Sequence, residues 1–417
     1  MDKTTGPIEK TPSTDTPNRL SGFDGSSMIW PSTGKLLADE ILVDIARKAA
    51  EADERGALSA ETVARLRDAG YFGLPIPNQL NGGGASLLEC AALQRRLAMA
   101  DPALAIGVNM HLFAVGMARE HWQLRRDSCG LVLEAIATQK LIVAAAFAEP
   151  GLGSTLARAN AKARRTQGGY VVQGVKSPCS LAAQCDLVCF QMEADPPEAD
   201  GLMTAIIPAK TPGIHVEQTW DALGMRGSGS DTLRFEECFV PDQLVFHRSG
   251  QSCHDQDEIL AAGLVWFCVT ATATYLGVLR AAVDFACEQL HASGPSASGT
   301  TRAQLASVQS EVGKVMSAEH TLAAACAGIA DRLHLGNHKP SHLAPFAFAI
   351  KDVGVDACVR GVESLAELVG GATYARTGTL ARLWRDVQAA HFHSPARAAT
   401  RQFLGQQALG LPVSFVF

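Results

Sequence analysis

The hydrophobic pattern of this chain changes period twice, and those two changes limit what it can fold into. From Leu36 to about Lys140 apolar residues recur at helical spacing: Ile41, Leu42, Ile45 and Ala49, then Val63, Leu66 and Ala69. A break at Gly82-Gly83-Gly84 precedes another helical stretch from Ser86 through Met99. Near Leu141 the pattern becomes one of short, β-prone segments bounded by turn residues, at Gly169–Gly174, Asp186–Phe190, Thr204–Pro208 and Thr232–Phe235. After His254 helical periodicity returns and persists to about Leu409, broken at 294–301 and 336–342. Helices, then strands, then helices predict separate domains, because a doubly wound sheet needs the two kinds of segment to alternate. The expected architecture is a multidomain α+β protein. A disordered tail over 1–35, rich in Ser, Thr, Pro, Asp and Gly, precedes an all-helical domain over 36–140, a β domain over 141–250 and a helical domain over 251–417.

A chain of 417 residues is too long for one core and long enough for several domains. With 47% hydrophobic and 19% charged residues it reads as soluble and globular. A net charge of -6 provides no excess of cations to neutralise a phosphate backbone, which argues against nucleic acid as a partner. The 11 cysteines are dispersed and lie mostly in apolar helical runs, as at Cys268, Cys287, Cys326 and Cys358. They read as reduced thiols of a cytoplasmic protein. Cys179, Cys185 and Cys189 lack paired CxxC spacing, and Gly336 and Pro340 interrupt any helix that would align His334, His338 and His342, so no metal site is expected. The apolar run Gly263–Val278 carries Trp266, Thr270, Thr272 and Tyr275 without the flanks of a membrane span, and is expected inside a core or subunit interface.

Three motifs stand in a fixed order: Phe147-Ala-Glu-Pro-Gly-Leu-Gly-Ser154, the hairpin Gly169–Lys176, and Trp220-Asp-Ala-Leu-Gly-Met-Arg-Gly-Ser228 followed by Phe239-Val-Pro241. In that order and spacing the chain resembles the acyl-CoA dehydrogenase superfamily from residue 36 onward. The resemblance implies an N-terminal helical domain, a β-barrel-like middle domain, a C-terminal four-helix bundle and a flavin, FAD or FMN. A turn built on Pro150, Gly151 and Gly153 lets backbone N–H groups approach a planar ring, and Ser154 adds a hydroxyl. By the family pattern Phe147, Ala148, Gly153, Ser154, Pro178 and Ser180 hold the cofactor, with Ser180 at the hydroxyl position that contacts the isoalloxazine. Dehydrogenases commonly have Trp where Pro178 stands and a hydroxyl residue where Ala148 stands. Contacts to the adenosine half also depart from the pattern: Gln289–Gly294 replaces an Arg followed by Phe-Gly, and Glu367 replaces a Gln before Gly370-Gly371. Losing a cation and an amide weakens pyrophosphate binding, so FMN, or loosely held FAD delivered reduced, fits the pattern. The turn from Gly370 to Tyr374 would pack against a neighbouring subunit of a homodimer or homotetramer.

The sharpest departure concerns the base. Most acyl-CoA dehydrogenases carry Glu-Gly where this chain has Ser394-Pro395, and a minority carry the glutamate where it has Trp266 and Phe267. Asp257 and Glu258 lie upstream of that second position. Imidazoles stand nearby instead, at His391 and His393. His393-Ser394-Pro395 is similar to an element of the flavin-dependent monooxygenase branch, which includes dibenzothiophene monooxygenase. The stretch from Ala100 to Leu112 resembles that branch too and would turn His111 toward the flavin. The resemblance then implies a reduced-flavin-dependent monooxygenase that uses O2 through a flavin C4a-(hydro)peroxide. His111, His393 and His391 would be its catalytic imidazoles, Ser180 would fix N5, and a separate flavin reductase would supply the reduced cofactor. No dinucleotide fingerprint follows a strand, since Gly224-Met-Arg-Gly-Ser-Gly229 has the wrong spacing. Two other readings stand beside it: an acyl-CoA or acyl-carrier thioester dehydrogenase with an unrecognised base, and a non-catalytic protein of the same fold. In the first two the substrate is a small molecule.

Overall fold

A computed structural model describes residues 29–152, 155–195, 201–249, 257–292 and 300–413. Five helices come first: α1 (Asp39–Arg55), α2 (Ala60–Asp68), α3 (Leu87–Ala100), α4 (Pro102–Arg125) and α5 (Cys129–Gln139). Their limits follow from local chemistry. Gly56, with φ of 64°, ends α1 in the left-handed conformation, and Ser86 with Glu89 forms a reciprocal capping box on α3. Asp101 alone joins α3 to α4, its carboxylate accepting from the N–H groups of Ala103 and Leu104. Of the expected tail, the described part, 29–35, is docked on α3: Thr33 is buried and its hydroxyl accepts from Arg96 Nη1 at 2.8 Å. The Arg95 guanidinium lies 6.0 Å from the Trp30 ring. A composition rich in small polar residues concealed these anchors.

Eight strands follow: β1 (Val143–Ala146), β2 (Lys162–Thr166), β3 (Gly169–Cys179), β4 (Leu187–Asp195), β5 (Leu202–Pro208), β6 (Ile214–Glu217), β7 (Asp231–Pro241) and β8 (Val245–Ser249). The sheet runs β6-β7-β3-β2-β4-β5-β8, with β1 on β4. β1 and β2 both run parallel to β4, on its Leu187–Phe190 and Glu193–Asp195 ends respectively. The long antiparallel pair β3·β7 shifts register twice, at Val172/Gly174 and Lys176/Cys179. Bulges of this kind bend strands and re-aim side chains, and the second delivers Pro178 and Ser180 to the end of β3.

The C-terminal helices are α6 (Glu258–Ala292), α7 (Ala306–His334), α8 (Pro340–Val369), α9 (Thr379–Val387) and α10 (Arg397–Ala408). α6 is apolar around its circumference, and it packs against α3 and α4 as well as α7 and α8. It is long and apolar enough to cross a bilayer, but its most apolar window is entirely buried within the protein. Thr270, Thr272 and Thr274 satisfy their hydroxyls on the carbonyls four residues back, at 2.7, 2.7 and 2.9 Å, which lets polar side chains enter this core. The short helices α9 and α10 pack against α8 and complete the bundle.

Candidate active site

A cavity of about 810 Å³, counted with its open mouth, lies where the three layers meet. Its walls are mostly apolar: Met110 and Phe113 from α4, Phe147 and Ala148 after β1, Leu264 and Phe267 from α6. Polar groups enter from Ser180, Ser228, Ser230 and His393.

The turn after β1 is locked to β3 from behind. Glu149 and Lys176, both buried, form an ion pair, and Glu149 also accepts from the N–H groups of Asn160 at 2.6 Å and Ala161 at 3.2 Å. Burial lowers the Lys176 pKa and the neighbouring carboxylate opposes that shift. Ser177 N donates to the Ala148 carbonyl at 2.8 Å. Phe147 and Ala148 are thereby held opposite Pro178 and Ser180. The Ser180 hydroxyl is 2.8 Å from that of Ser230, which is 2.7 Å from that of Ser228, so three hydroxyls form a chain along one wall.

Another wall is the loop before β7. Asp231 Oδ1 accepts from Thr219 N at 3.0 Å and Trp220 N at 3.1 Å, and the indole N–H donates to the Met225 carbonyl at 3.0 Å. Met225 N in turn donates to Asp386 Oδ1 at 2.7 Å. Burial pushes the Asp386 pKa up to about 7 against the pull of Arg382. Gly224 must be glycine, since a Cβ there would sit 2.1 Å from the Arg385 carbonyl oxygen.

His393 reaches the cavity. Burial raises the Tyr275 phenol's pKa, so Tyr275 Oη keeps its proton, and it lies 2.8 Å from His393 Nδ1. In a neutral ring whose Nδ1 accepts, the proton resides on Nε2. Burial, then the charge of Lys351, pushes the His393 pKa down to about 3. Lys351 Nζ donates to the carbonyls of His393 and, at 2.9 Å, Pro395, fixing the turn that carries the imidazole.

The other expected imidazoles are placed elsewhere. His111 is fully buried and does not line the cavity: Nδ1 accepts from Val143 N at 3.0 Å and Nε2 faces the Phe72 carbonyl at 2.8 Å. Both ring nitrogens are used to tie α4 to β1 and to the turn at Phe72, which corrects its expected orientation toward a flavin. His391 closes the 3-10 turn Gln388–His391, so alternation along the segment is lost and it does not line the cavity with His393. Of the expected cofactor residues, Phe147, Ala148, Pro178 and Ser180 converge on the cavity. Gly153 and Ser154 lie outside the described residues. Glu367, exposed, and Gly370-Gly371 lie at the end of α8 and do not join that wall.

No Asp or Glu lines the cavity among the described residues. The two carboxylates nearest in sequence to the alternative base position have structural partners. Asp257 caps α6 through the N–H groups of Ile259 and Leu260, both at 3.0 Å, and bonds His247 Nε2 at 2.7 Å. Glu258 accepts from Ser341 N at 2.9 Å and Ser341 Oγ at 2.7 Å at the start of α8. Sequence reasoning quoted Trp220 only within a motif, and singled out neither Tyr275 as a partner of His393, nor Lys351, nor the Glu149–Lys176 pair. Lys351 carried the clearest signal, a cation directly after the apolar run Phe346-Ala-Phe-Ala-Ile.

Residues 35–121, 144–238 and 260–404 match the N-terminal, middle and C-terminal domains of the acyl-CoA dehydrogenase family models. The chain is 27% identical to a putative acyl-CoA dehydrogenase, YdbM, from Bacillus subtilis over 91% of its own length and 96% of the relative's. It is 25% identical to isobutylamine N-hydroxylase from Streptomyces viridifaciens, covering 86% and 92% of the two chains. The FMN-bound structure of TdsC from Paenibacillus sp. A11-2 superimposes with a TM-score of 0.82 at 21% identity, over 91% of this chain and 98% of that one.

Proposed function

Because the chain belongs to the acyl-CoA dehydrogenase family, while the wall of its cavity presents, among the described residues, an imidazole and no carboxylate, we propose that it is a reduced-flavin-dependent monooxygenase. The absent carboxylate is the observation that carries this reading. Removing an unactivated α-proton from an acyl thioester needs a base poised at the reacting carbon, and a carboxylate is the usual one.

The cavity suits a flavin ring. It has apolar walls for the faces of the plane, a hydroxyl at Ser180 for a polar edge, and a rigid turn at Phe147 and Ala148 beside it. Phe147, Ala148, Pro178 and Ser180 would hold FMN or FAD, and the family pattern assigns Gly153 and Ser154 to the same cofactor. Glu367, Gly370 and Gly371 would serve the adenosine half of FAD or a neighbouring subunit. When bound, the reduced flavin supplies the electron pair that activates O2.

The chain's own residues then bind, orient and exclude water. In the tautomer whose Nδ1 accepts from Tyr275, His393 is a hydrogen-bond donor at Nε2, and its ring stays neutral near pH 7. Ser180 accepts or donates through a hydroxyl already oriented by Ser230. The apolar side chains of α4 and α6 keep the site dry, which strengthens both hydrogen bonds. His111 acts at a distance by holding α4 on β1, and His391 has no contact with the cavity. A separate flavin reductase in the cytoplasm would supply the cofactor, O2 and a small organic molecule would be the substrates, and a homodimer or homotetramer is the expected assembly.

The test uses reductase-supplied FMN, 18O2, and isobutylamine and indole as probe substrates. Product bearing one 18O atom is expected, and His393→Ala should lower its rate about 100-fold while leaving flavin affinity unchanged. Rapid anaerobic bleaching of the protein's oxidised flavin by butyryl-CoA would overturn the proposal in favour of a dehydrogenase.

A further inference from the structure

A second cavity, of about 800 Å³ with its mouth, lies between the α1–α2 connection, the loop after β3 and the segment before β7. Trp220 lines both this cavity and the first, so the two adjoin at this residue. Its backbone is fastened by Asp231 and its ring by the Met225 carbonyl.

The two chambers differ in chemistry. Where the first is mostly apolar, the second is lined by Gln184, Gln218 and Asp231 together with Leu58 and Leu181. Asp231 is buried, and its Oδ1 accepts from Thr219 N and Trp220 N, so Oδ2 is the oxygen left for a ligand. Gln184 donates from Nε2 to the Leu58 carbonyl, which leaves its amide oxygen. The guanidinium beside Gly56 on the rim, Arg226, is committed to the carbonyls of Asp53 and Ala222 and faces the carboxylates of Asp53 and Asp221. The chamber therefore presents acceptors and negative charge, and its local cation is already offset.

We propose that the second chamber is a subsite for a hydrogen-bond-donating head group, an ammonium above all, on a substrate whose apolar end occupies the first cavity. The substrate class is then an amphipathic amine that passes Trp220 with its reacting end in the dry chamber. Covering Asp231 Oδ2 with a ligand is unfavourable unless the ligand brings an opposite charge or a donor to it, and an anionic head group would meet repulsion instead. This inference rests on the monooxygenase reading for what happens in the first cavity, but not for binding in the second.

Calorimetric titration of the full-length flavin-loaded protein, without reductant, separates the two. The probes are 4-phenylbutylamine, 4-phenylbutanol and 4-phenylbutyrate, which share one apolar body and differ in the head. The amine should bind about 10-fold more tightly than the carboxylate, with the alcohol between them. Asp231→Asn keeps an oxygen for the two backbone donors and removes the charge, so it should cut the amine-to-carboxylate ratio to about 2 or less. Gln218→Ala should weaken the amine and the alcohol about 3-fold. Toluene, which has no head group, should bind all variants alike and reports that the first cavity is intact. Equal affinities for the three heads, or a ratio that survives Asp231→Asn, would overturn the subsite. Failure of 18O incorporation with this binding pattern intact would count against the oxygenase reading alone.

Discussion

His111 and His393 are both neutral imidazoles, for different reasons. His111 is closed in by protein and spends both nitrogens on backbone groups, and burial brings its pKa down to about 4. In the unfolded chain an ordinary histidine titrates near 6.5. The unfolded state therefore takes up a proton between about pH 6.5 and 4 that the folded state refuses, and stability is full above that window and falls as pH drops through it. His111 alone should contribute a slope of about 1.4 kcal/mol per pH unit inside the window. Urea unfolding of His111→Gln against pH should show a slope shallower by that amount; an unchanged slope would mean the site is open to water. His393, with its pKa at about 3, should impose no inflection on turnover between pH 5.5 and 8. The pair also marks how far residue types can be read from the chain. An imidazole near Pro395 was legible as a candidate for the site, and His393 does line the cavity. The role of His111 was not, because its partners Phe72 and Val143 are 39 and 32 residues away in sequence.

At the level of strands and helices, the Glu149–Lys176 pair carries the clearest energetic consequence. It is the fastening between the turn after β1 and the bulged end of β3, and neither group reaches solvent. Lys176→Met should cost about 3–5 kcal/mol in urea unfolding because it leaves a buried carboxylate unpaired. Lys176→Met combined with Glu149→Leu should cost less than Lys176→Met alone, since no unpaired charge then remains. Additive losses would place the pair in contact with water. The order of helices, strands and helices was plain from periodicity, because long apolar stripes and short β-prone runs require no knowledge of tertiary partners. The fastening was invisible to the same reasoning: a lysine in a strand ordinarily marks the solvent side, and here Glu149, held by the N–H groups of Asn160 and Ala161, meets it in the core.

Across the whole molecule, two features carry predictions, one for the proposed assembly and one for unfolding. Phe346 and Val353 are 64% and 58% exposed and stand seven residues apart, on one outer face of α8. Association through that face is expected, and Phe346→Glu should shift the mass measured by light scattering toward a monomer. Helix α6 governs unfolding. Its 35 residues touch α3 and α4 of the first helical layer, α7 and α8 of the last, and the cavity through Leu264 and Phe267. A scanning calorimeter should record one endotherm for both helical layers, with matching calorimetric and van't Hoff enthalpies, and two resolved peaks would contradict it. Because that rod is shared, the halves of this protein have no separate lives. A truncation that keeps either helical layer without it should leave an insoluble fragment, and swapping modules with a relative can succeed only if the rod and everything seated on it are exchanged together.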